Sequence, residues 1–140
     1  MKLYYTPGAC SMNPHIMLRE AGLNFDLVKV DLGSHKTPDG KDFYSINPKG
    51  YVPALELDNG QVLTENPAIV QYIADQKPEA KLAPANGTLE RYRLQEWLGF
   101  ISTELHKTFG PLWNPAVSEG EKKATFDKLT KRFEFIAKNL

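Results

Sequence analysis

The sequence predicts an α/β domain followed by a helical domain. Strand-like and helix-like hydrophobic patterns alternate over residues 2–73, whereas only helical periodicity recurs after residue 88. Residues 78–87 contain two prolines and a glycine and show no periodicity, which is typical of a linker. We therefore expect domains at 1–78 and 88–140, joined by a linker at 79–87.

The first elements form a β-α-β unit. Residues 2–6 resemble a buried strand, and residues 25–31 alternate apolar and polar side chains as a second strand does. Between them, residues 14–22 predict a helix with Pro14 in its first turn and Gly22 at its end. Two strands joined through a helix in this way should run parallel.

A hairpin and a further helix complete this domain. Residues 53–57 and 61–64 predict two strands, because the Asn59-Gly60 pair between them is a strong hairpin signal. A helix is expected from Pro67 with Asn66 as its N-cap, and a short helix at 42–45. The order strand, helix, strand, hairpin, helix is that of a thioredoxin-like domain.

The second domain is predicted to be all-α. Residues 88–109 have helical spacing, with one apolar stripe formed by Leu89, Tyr92, Trp97, Ile101 and Leu105. A second helix begins with the capping-box pattern of Ser118 and Glu121. Its apolar side carries Phe126, Leu129, Phe133, Ile136 and Leu140. Only one helix precedes it in this domain, which is too little to cover this apolar side, so we expect a large exposed hydrophobic patch.

The composition excludes several classes of partner. The chain has 140 residues with 17 basic and 17 acidic side chains, so no net charge favours nucleic acid or an anionic membrane. No apolar run reaches the ~18 residues of a membrane span. The first residues are too short an apolar segment for a signal peptide, so we expect a cytoplasmic protein.

Cys10 is the only cysteine, and it stands between the first strand and the first helix. Unpaired backbone N–H groups and the helix dipole at such a position favour the thiolate, which is the nucleophilic form. With no second thiol in the chain, a redox role requires an external thiol, most simply a small one. The alternative is a buried cysteine that acts only as a small hydrophobic residue.

Four segments carry a family resemblance. They are residues 1–11, residues 47–55, residues 63–66, and residues 96–98 with 103–107. Together they resemble a bacterial glutathione S-transferase of the beta class. Cys10 with the His106-Lys107 pair distinguishes this class from the tyrosine- and serine-based classes. Members of the family are usually longer, which implies that the last helices are missing from this sequence.

The resemblance implies a glutathione transferase fold with glutathione as substrate and no metal. It implies that the Val52-Pro53 bond is cis and that the Val52 backbone pairs with the cysteinyl part of glutathione. Glu65 and Asn66 would hold the γ-glutamyl end. Taken alone, Pro53 could be an ordinary trans proline on an edge strand, Asn66 a helix cap and Glu65 a first-turn acid.

Residues 99, 103, 106 and 107 have the spacing of one α-helical face. In the family this face borders the cleft between the domains, where His106 would exchange a proton with sulfur near Cys10 and Lys107 would favour the thiolate. The alternative is a solvated helix end. The resemblance implies catalytic roles for Cys10 and His106. It implies glutathione contacts from Cys10, His35, Val52, Glu65, Asn66, Gly99, Thr103, Glu104, His106 and Lys107.

Three positions depart from the family pattern. His35 stands where a lysine commonly contacts the glycyl carboxylate, and Gly99 stands where an asparagine commonly supports the site. Pro67 has no N–H group to donate to the ligand. We therefore expect lower glutathione affinity than is typical, with a pH dependence that comes from His35.

The predicted function is the conjugation of glutathione to small, electrophilic, apolar substrates, a detoxification activity. Thiol–disulfide exchange through a Cys10–glutathione mixed disulfide is expected as a second activity. The alternative is a non-catalytic, transferase-like module for ligand binding or protein assembly. The resemblance also implies a homodimer.

Overall fold

The computed structural model describes residues 1–140, which divide into two compact units, Met1–Arg91 and Tyr92–Leu140. This division falls a few residues after the linker expected at 79–87. Arg91, the last residue of the first unit, bonds through its side chain to Asp75 and to the Pro84 carbonyl. The predicted domain boundaries themselves stay a prediction.

The first unit contains a four-stranded mixed sheet. Its strands are β1 (Lys2–Tyr5), β2 (Asp26–Lys29), β3 (Ala54–Glu56) and β4 (Val62–Thr64), in the spatial order β2-β1-β3-β4. β1 runs parallel to β2 and antiparallel to β3, and β3 and β4 form the hairpin. This is the predicted thioredoxin-like arrangement, and the predicted fold class is confirmed.

The first helix, α1 (Met12–Glu20), begins two residues before the predicted start at residue 14. Its end is closed by two backbone hydrogen bonds, from Gly22 to the Arg19 carbonyl and from Leu23 to the Leu18 carbonyl. Gly22 has φ +63°, a conformation that glycine adopts without a steric penalty. The helix therefore ends at Glu20, two residues before Gly22, which the sequence indicated as its stop.

The second helix, α2 (Asn66–Gln76), corrects one prediction. Asn66 is the first helical residue and not the N-cap; Glu65 occupies the cap position with φ +70° and makes no side-chain cap bond. The Asn66 side chain is directed to the β1–α1 turn instead. The short predicted helix is a 3₁₀ turn, Phe43–Ser45, in which the Asp42 side chain accepts a hydrogen bond from the Tyr44 N–H.

The sheet is covered on both faces, because successive residues of β1 point to opposite sides. One cluster lies between the sheet and the helices α1 and α2, and it consists of Leu3, Leu18, Ala21, Leu55, Ile69 and Ile73. The other consists of Tyr4, Val30, Phe43, Val52 and Ala54. Every aliphatic member of the first cluster except Ala21 is fully buried. This packing fixes the position of β1, and Cys10 lies in the turn that follows this strand.

A buried arginine joins α2 to the segment after it. Arg91 is only 2% exposed, and its two terminal nitrogens donate to the two Asp75 carboxylate oxygens at 3.0 and 2.8 Å. Its Nε–H group donates to the Gln71 side-chain oxygen at 3.2 Å. The hydrogen bonds from Arg91 hold the pKa of Asp75 below its usual value.

The second unit contains a helical segment whose type changes twice. α3 (Leu89–Phe100), which begins in the first unit, is followed by a π-helical turn (Ile101–Leu105) and a 3₁₀ segment (His106–Trp113). The helix predicted at 88–109 is therefore confirmed as α-helix over Leu89–Phe100, whereas regular α-helix after Phe100 is wrong. Glycine at 99 and 110 and proline at 111 weaken regular α-helix there.

The last helix, α4 (Glu119–Asn139), begins at the predicted capping box. The Ser118 hydroxyl accepts from the Glu121 N–H group, and the Glu121 carboxylate accepts from the Ser118 N–H group. Leu129 is buried, whereas Phe126 and Phe133 are at least half exposed, so the apolar side is only partly covered. None of the helices is both long and apolar enough to cross a membrane.

We predict that Asp75→Asn lowers the free energy of unfolding at pH 7 by about 1–3 kcal/mol, because it leaves the buried Arg91 without its carboxylate. This range is below the ~3–5 kcal/mol of a fully buried pair, since the Asp75 side chain is 37% exposed. Because folding lowers the Asp75 pKa, this stabilisation is present above about pH 4 and is lost as the pH falls through the folded-state value.

Urea denaturation followed by circular dichroism at pH 7 and pH 3 measures this difference. Asp127→Asn, which removes an exposed ion pair on α4, is the control and should change the stability by less than about 0.5 kcal/mol. An Asp75→Asn cost that is equal at both pH values would contradict the assignment.

Candidate functional site

Cys10 lies in the turn between β1 and α1, directly before Ser11, the N-cap residue of α1. The Cys10 carbonyl accepts a hydrogen bond from the Asn13 N–H group at 3.2 Å, and its thiol donates to the Val52 carbonyl oxygen at 3.5 Å. The thiol is therefore at the helix start that the sequence predicted, partly buried and next to the loop before β3. The helix start favours the thiolate, whereas the Val52 carbonyl favours the thiol form.

Ser11 closes the turn that carries Cys10. Its fully buried hydroxyl accepts from the Thr6 N–H group and donates to the Thr6 carbonyl, both at 3.1 Å. The Thr6 hydroxyl in turn donates to the Val30 carbonyl at 2.7 Å. Sequence reasoning did not identify Ser11, although a small polar residue just before a helix is a signal for such a structural role.

The Val52-Pro53 peptide bond is cis, as the family resemblance implied. The alternative of an ordinary trans proline is therefore wrong. Val52 is buried, and its carbonyl oxygen is the group that faces the Cys10 thiol.

Asn66 joins the start of α2 to the Cys10 turn. Its side-chain Nδ2–H group donates to the Cys10 carbonyl at 2.8 Å, and its Oδ1 accepts from the Asn13 side-chain amide at 3.0 Å. Cys10, Val52 and Asn66 are thus brought together at one end of the sheet.

Glu65 stands next to this cluster and is paired with a lysine. Its carboxylate contacts the Lys49 ammonium at 2.7 Å, and the same ammonium donates to the Thr64 hydroxyl at 3.2 Å. Both side chains are at least half exposed. Sequence reasoning missed Lys49, because the pairing joins residues sixteen positions apart that no periodicity connects.

His35 is held by Tyr44. The two rings stack with centroids 4.5 Å apart, and the His35 Nε2 atom lies 3.3 Å from the Tyr44 hydroxyl. The Nδ1 atom of His35 is buried without a hydrogen-bond partner. Gly50 makes room for the Tyr44 ring: a Cβ at that position would lie 2.6 Å from a ring carbon. His35 itself has φ +52°.

In the second unit the predicted site residues lie in three different kinds of helix. Gly99 belongs to α3, Thr103 and Glu104 to the π-helical turn, and His106 and Lys107 to the start of the 3₁₀ segment. The α-helical spacing from which a common face was expected therefore does not apply along this stretch. π-Helical turns occur frequently at functional sites, so the turn at 101–105 is consistent with a functional role for this segment.

Glu104 is anchored within the second unit. Its carboxylate oxygen Oε2 accepts from Arg132 Nε and a terminal Arg132 nitrogen at 3.0 and 2.7 Å, and Lys128 lies 3.9 Å away. The Thr108 hydroxyl donates to the Glu104 carbonyl at 2.8 Å. The Arg132 and Lys128 contacts hold the π-helical turn against α4.

No group of three or more histidine, cysteine, aspartate or glutamate side chains is arranged to hold a metal ion.

Comparison with known sequences identifies relatives over nearly the whole chain. A model of the glutathione S-transferase N-terminal domain matches residues 1–75. A glutathione S-transferase, GstA, from Escherichia coli O157:H7 is 47% identical over 136 residues, which cover 97% of this chain and 68% of that protein. A glutathione S-transferase from Xanthomonas campestris is 42% identical over 113 residues, covering 81% of this chain and 53% of that protein. The chain thus spans about half to two thirds of the length of these relatives.

Solved structures give the same result. The bacterial transferase BphK, in a ternary complex, superposes with a TM-score of 0.97 at 62% identity and covers 100% of this chain and 70% of its own. A sphingomonad transferase complexed with glutathione has a TM-score of 0.96 at 52% identity, and the match covers 99% of this chain and 69% of that one. A beta-class transferase from Sphingomonas chungbukensis has a TM-score of 0.95 at 54% identity, and the match covers 100% of this chain and 70% of that one.

Proposed function

The chain belongs to the glutathione S-transferase family, and we propose that it binds glutathione at the Cys10 turn and transfers the glutathionyl group to small, electrophilic, apolar molecules. The resemblance to the bacterial beta class that the sequence indicated is confirmed. The named relatives support a catalytic transferase over the non-catalytic binding module.

One observation supports the location of the ligand: Cys10, Val52 and Asn66 meet at one end of the sheet, with Glu65 beside them. Glutathione is an extended peptide with a central thiol, so its backbone can pair with the main chain at Val52 as an added strand would. Its sulfur would then lie close to the Cys10 sulfur. A relative at 52% identity has been solved with glutathione bound.

The charges around Glu65 suit the γ-glutamyl end, which carries both an ammonium and a carboxylate. We assign the ammonium to Glu65 and the carboxylate to the start of α2, where backbone N–H groups and the helix dipole favour an anion. Pro67 removes one possible donor there. Lys49, which pairs with Glu65 in this structure, adds positive charge for the same carboxylate once the ammonium takes its place.

The glycyl carboxylate is assigned to His35, which stands where a lysine is common in the family. The Tyr44 ring and hydroxyl hold the His35 side chain in place.

Conjugation requires the glutathione thiol to lose its proton. The resulting thiolate attacks the electrophilic carbon, a carbon–sulfur bond forms, and a leaving group such as a halide departs with its bonding electrons. In the second activity, the Cys10 thiolate attacks the disulfide of oxidised glutathione. The old S–S bond breaks, a Cys10–glutathione disulfide forms, and one glutathione thiolate leaves.

We further propose that His106 acts as the proton-exchanging group and that Lys107 supplies positive charge in this chemistry. Gly99, Thr103 and Glu104 are assigned to glutathione binding on the same segment. The Arg132 contact to Glu104 supports this segment from α4. These assignments fit a cytoplasmic, homodimeric enzyme that acts in detoxification.

The function is tested with a glutathione column and with turnover of 1-chloro-2,4-dinitrobenzene by the eluted protein. The expected result is retention on the column and glutathione-dependent release of chloride above the uncatalysed rate. Retention without turnover would instead support the binding module. Failure to bind the column would contradict the proposed ligand.

The redox activity is tested by intact mass after incubation with oxidised glutathione. We expect the mass to rise by one glutathionyl group, because Cys10 is the only thiol in the chain. The matched variant Cys10→Ser should show no increase. An unmodified wild-type protein, under conditions in which iodoacetamide does alkylate Cys10, would contradict thiol–disulfide exchange.

A further inference from the structure

Asn13, in the first turn of α1, begins a chain of side-chain amides that ends at Cys10. Its Nδ2–H group donates to Asn66 Oδ1 at 3.0 Å, and Asn66 Nδ2–H donates to the Cys10 carbonyl at 2.8 Å. The direction of this chain is fixed at one end, because a backbone carbonyl can only accept. Asn66 must therefore present its nitrogen to Cys10 and its oxygen to Asn13, which in turn must donate.

We infer that Asn13 is a positioning residue for the thiol site. It acts through Asn66, whose amide it orients so that one N–H group is committed to the Cys10 carbonyl and the second remains available. That second N–H group is a donor for the γ-glutamyl end of glutathione, and this part of the inference rests on the proposed function. The other part, in which Asn13 orients the Asn66 amide toward the Cys10 carbonyl, does not rest on the proposed function.

The direction of the two hydrogen bonds, from Asn13 to Asn66 and from Asn66 to Cys10, distinguishes between substitutions at position 13. A carboxylate at position 13 can only accept, so it meets the Asn66 oxygen with no hydrogen between them. If the Asn66 amide turns over to donate to that carboxylate, its oxygen then faces the Cys10 carbonyl instead. Either arrangement brings two acceptors together. Asn13→Ala, in contrast, removes one donor and leaves Asn66 able to keep its bond to Cys10.

A role for Asn13 in helix stability alone predicts the opposite order. An acidic residue in the first turn of a helix interacts favourably with the helix dipole, so Asn13→Asp would then be harmless or stabilising. Met12→Asp is the matched control. It places the same charge one residue earlier in the same turn, on an exposed side chain that is outside the amide chain.

The experiment compares wild type, Asn13→Asp, Asn13→Ala and Met12→Asp in two assays. Calorimetry measures the dissociation constant for reduced glutathione, and iodoacetamide alkylation of Cys10 is followed as a function of pH. We expect Asn13→Asp to bind glutathione about fivefold or more weakly than Met12→Asp, with Asn13→Ala between them. We also expect the alkylation profile of Asn13→Asp to differ from that of Met12→Asp.

Weaker glutathione binding by Asn13→Asp than by Met12→Asp, or a different alkylation profile, supports the inference. Agreement between the two variants in both assays, or tighter glutathione binding by Asn13→Asp, overturns it. An order in which Asn13→Ala is worse than Asn13→Asp also overturns it. If wild type fails to bind glutathione, the proposed function fails. The alkylation profiles then still decide the role of Asn13, because that reaction needs no glutathione.

Discussion

The hydrogen bond from the Asn66 side chain to the Cys10 carbonyl is the interaction on which the candidate site depends. It connects the first residue of α2 to the turn between β1 and α1, across fifty-six positions of sequence. The other end of that turn is fixed by the two bonds between the buried Ser11 hydroxyl and the Thr6 backbone. The thiol is thus held by contacts from several elements, which is how proteins keep a reactive group within reach of its substrate.

The parts of the fold that local patterns determine could be predicted from the sequence. The β-α-β unit, the Asn-Gly hairpin and the capping box of α4 each depend on residues a few positions apart, and the structure contains all three. Cys10 was found for the same reason, because a lone cysteine between a strand and a helix start is visible in the sequence itself.

The remaining features depend on contacts that no local pattern encodes. Asn66 was expected to cap α2, yet its amide donates to the Cys10 carbonyl, because the fold brings the β1–α1 turn alongside it. The Lys49–Glu65 pair is of the same kind. The π-helical turn at 101–105 escaped prediction because a helical hydrophobic pattern gives no sign of one inserted residue, although Gly99 nearby weakens the helix.

The central claim, that glutathione binds beside Cys10 with its ammonium on Glu65, is tested most directly by titrating the protein with reduced glutathione in a calorimeter. Glu65→Gln should weaken binding by at least about tenfold, or ~1.4 kcal/mol, because the ammonium loses its carboxylate. Glu79→Gln is the matched control, since Glu79 forms a comparable exposed pair with Lys77. It should bind as wild type does. Equal affinity of wild type and Glu65→Gln would contradict the account.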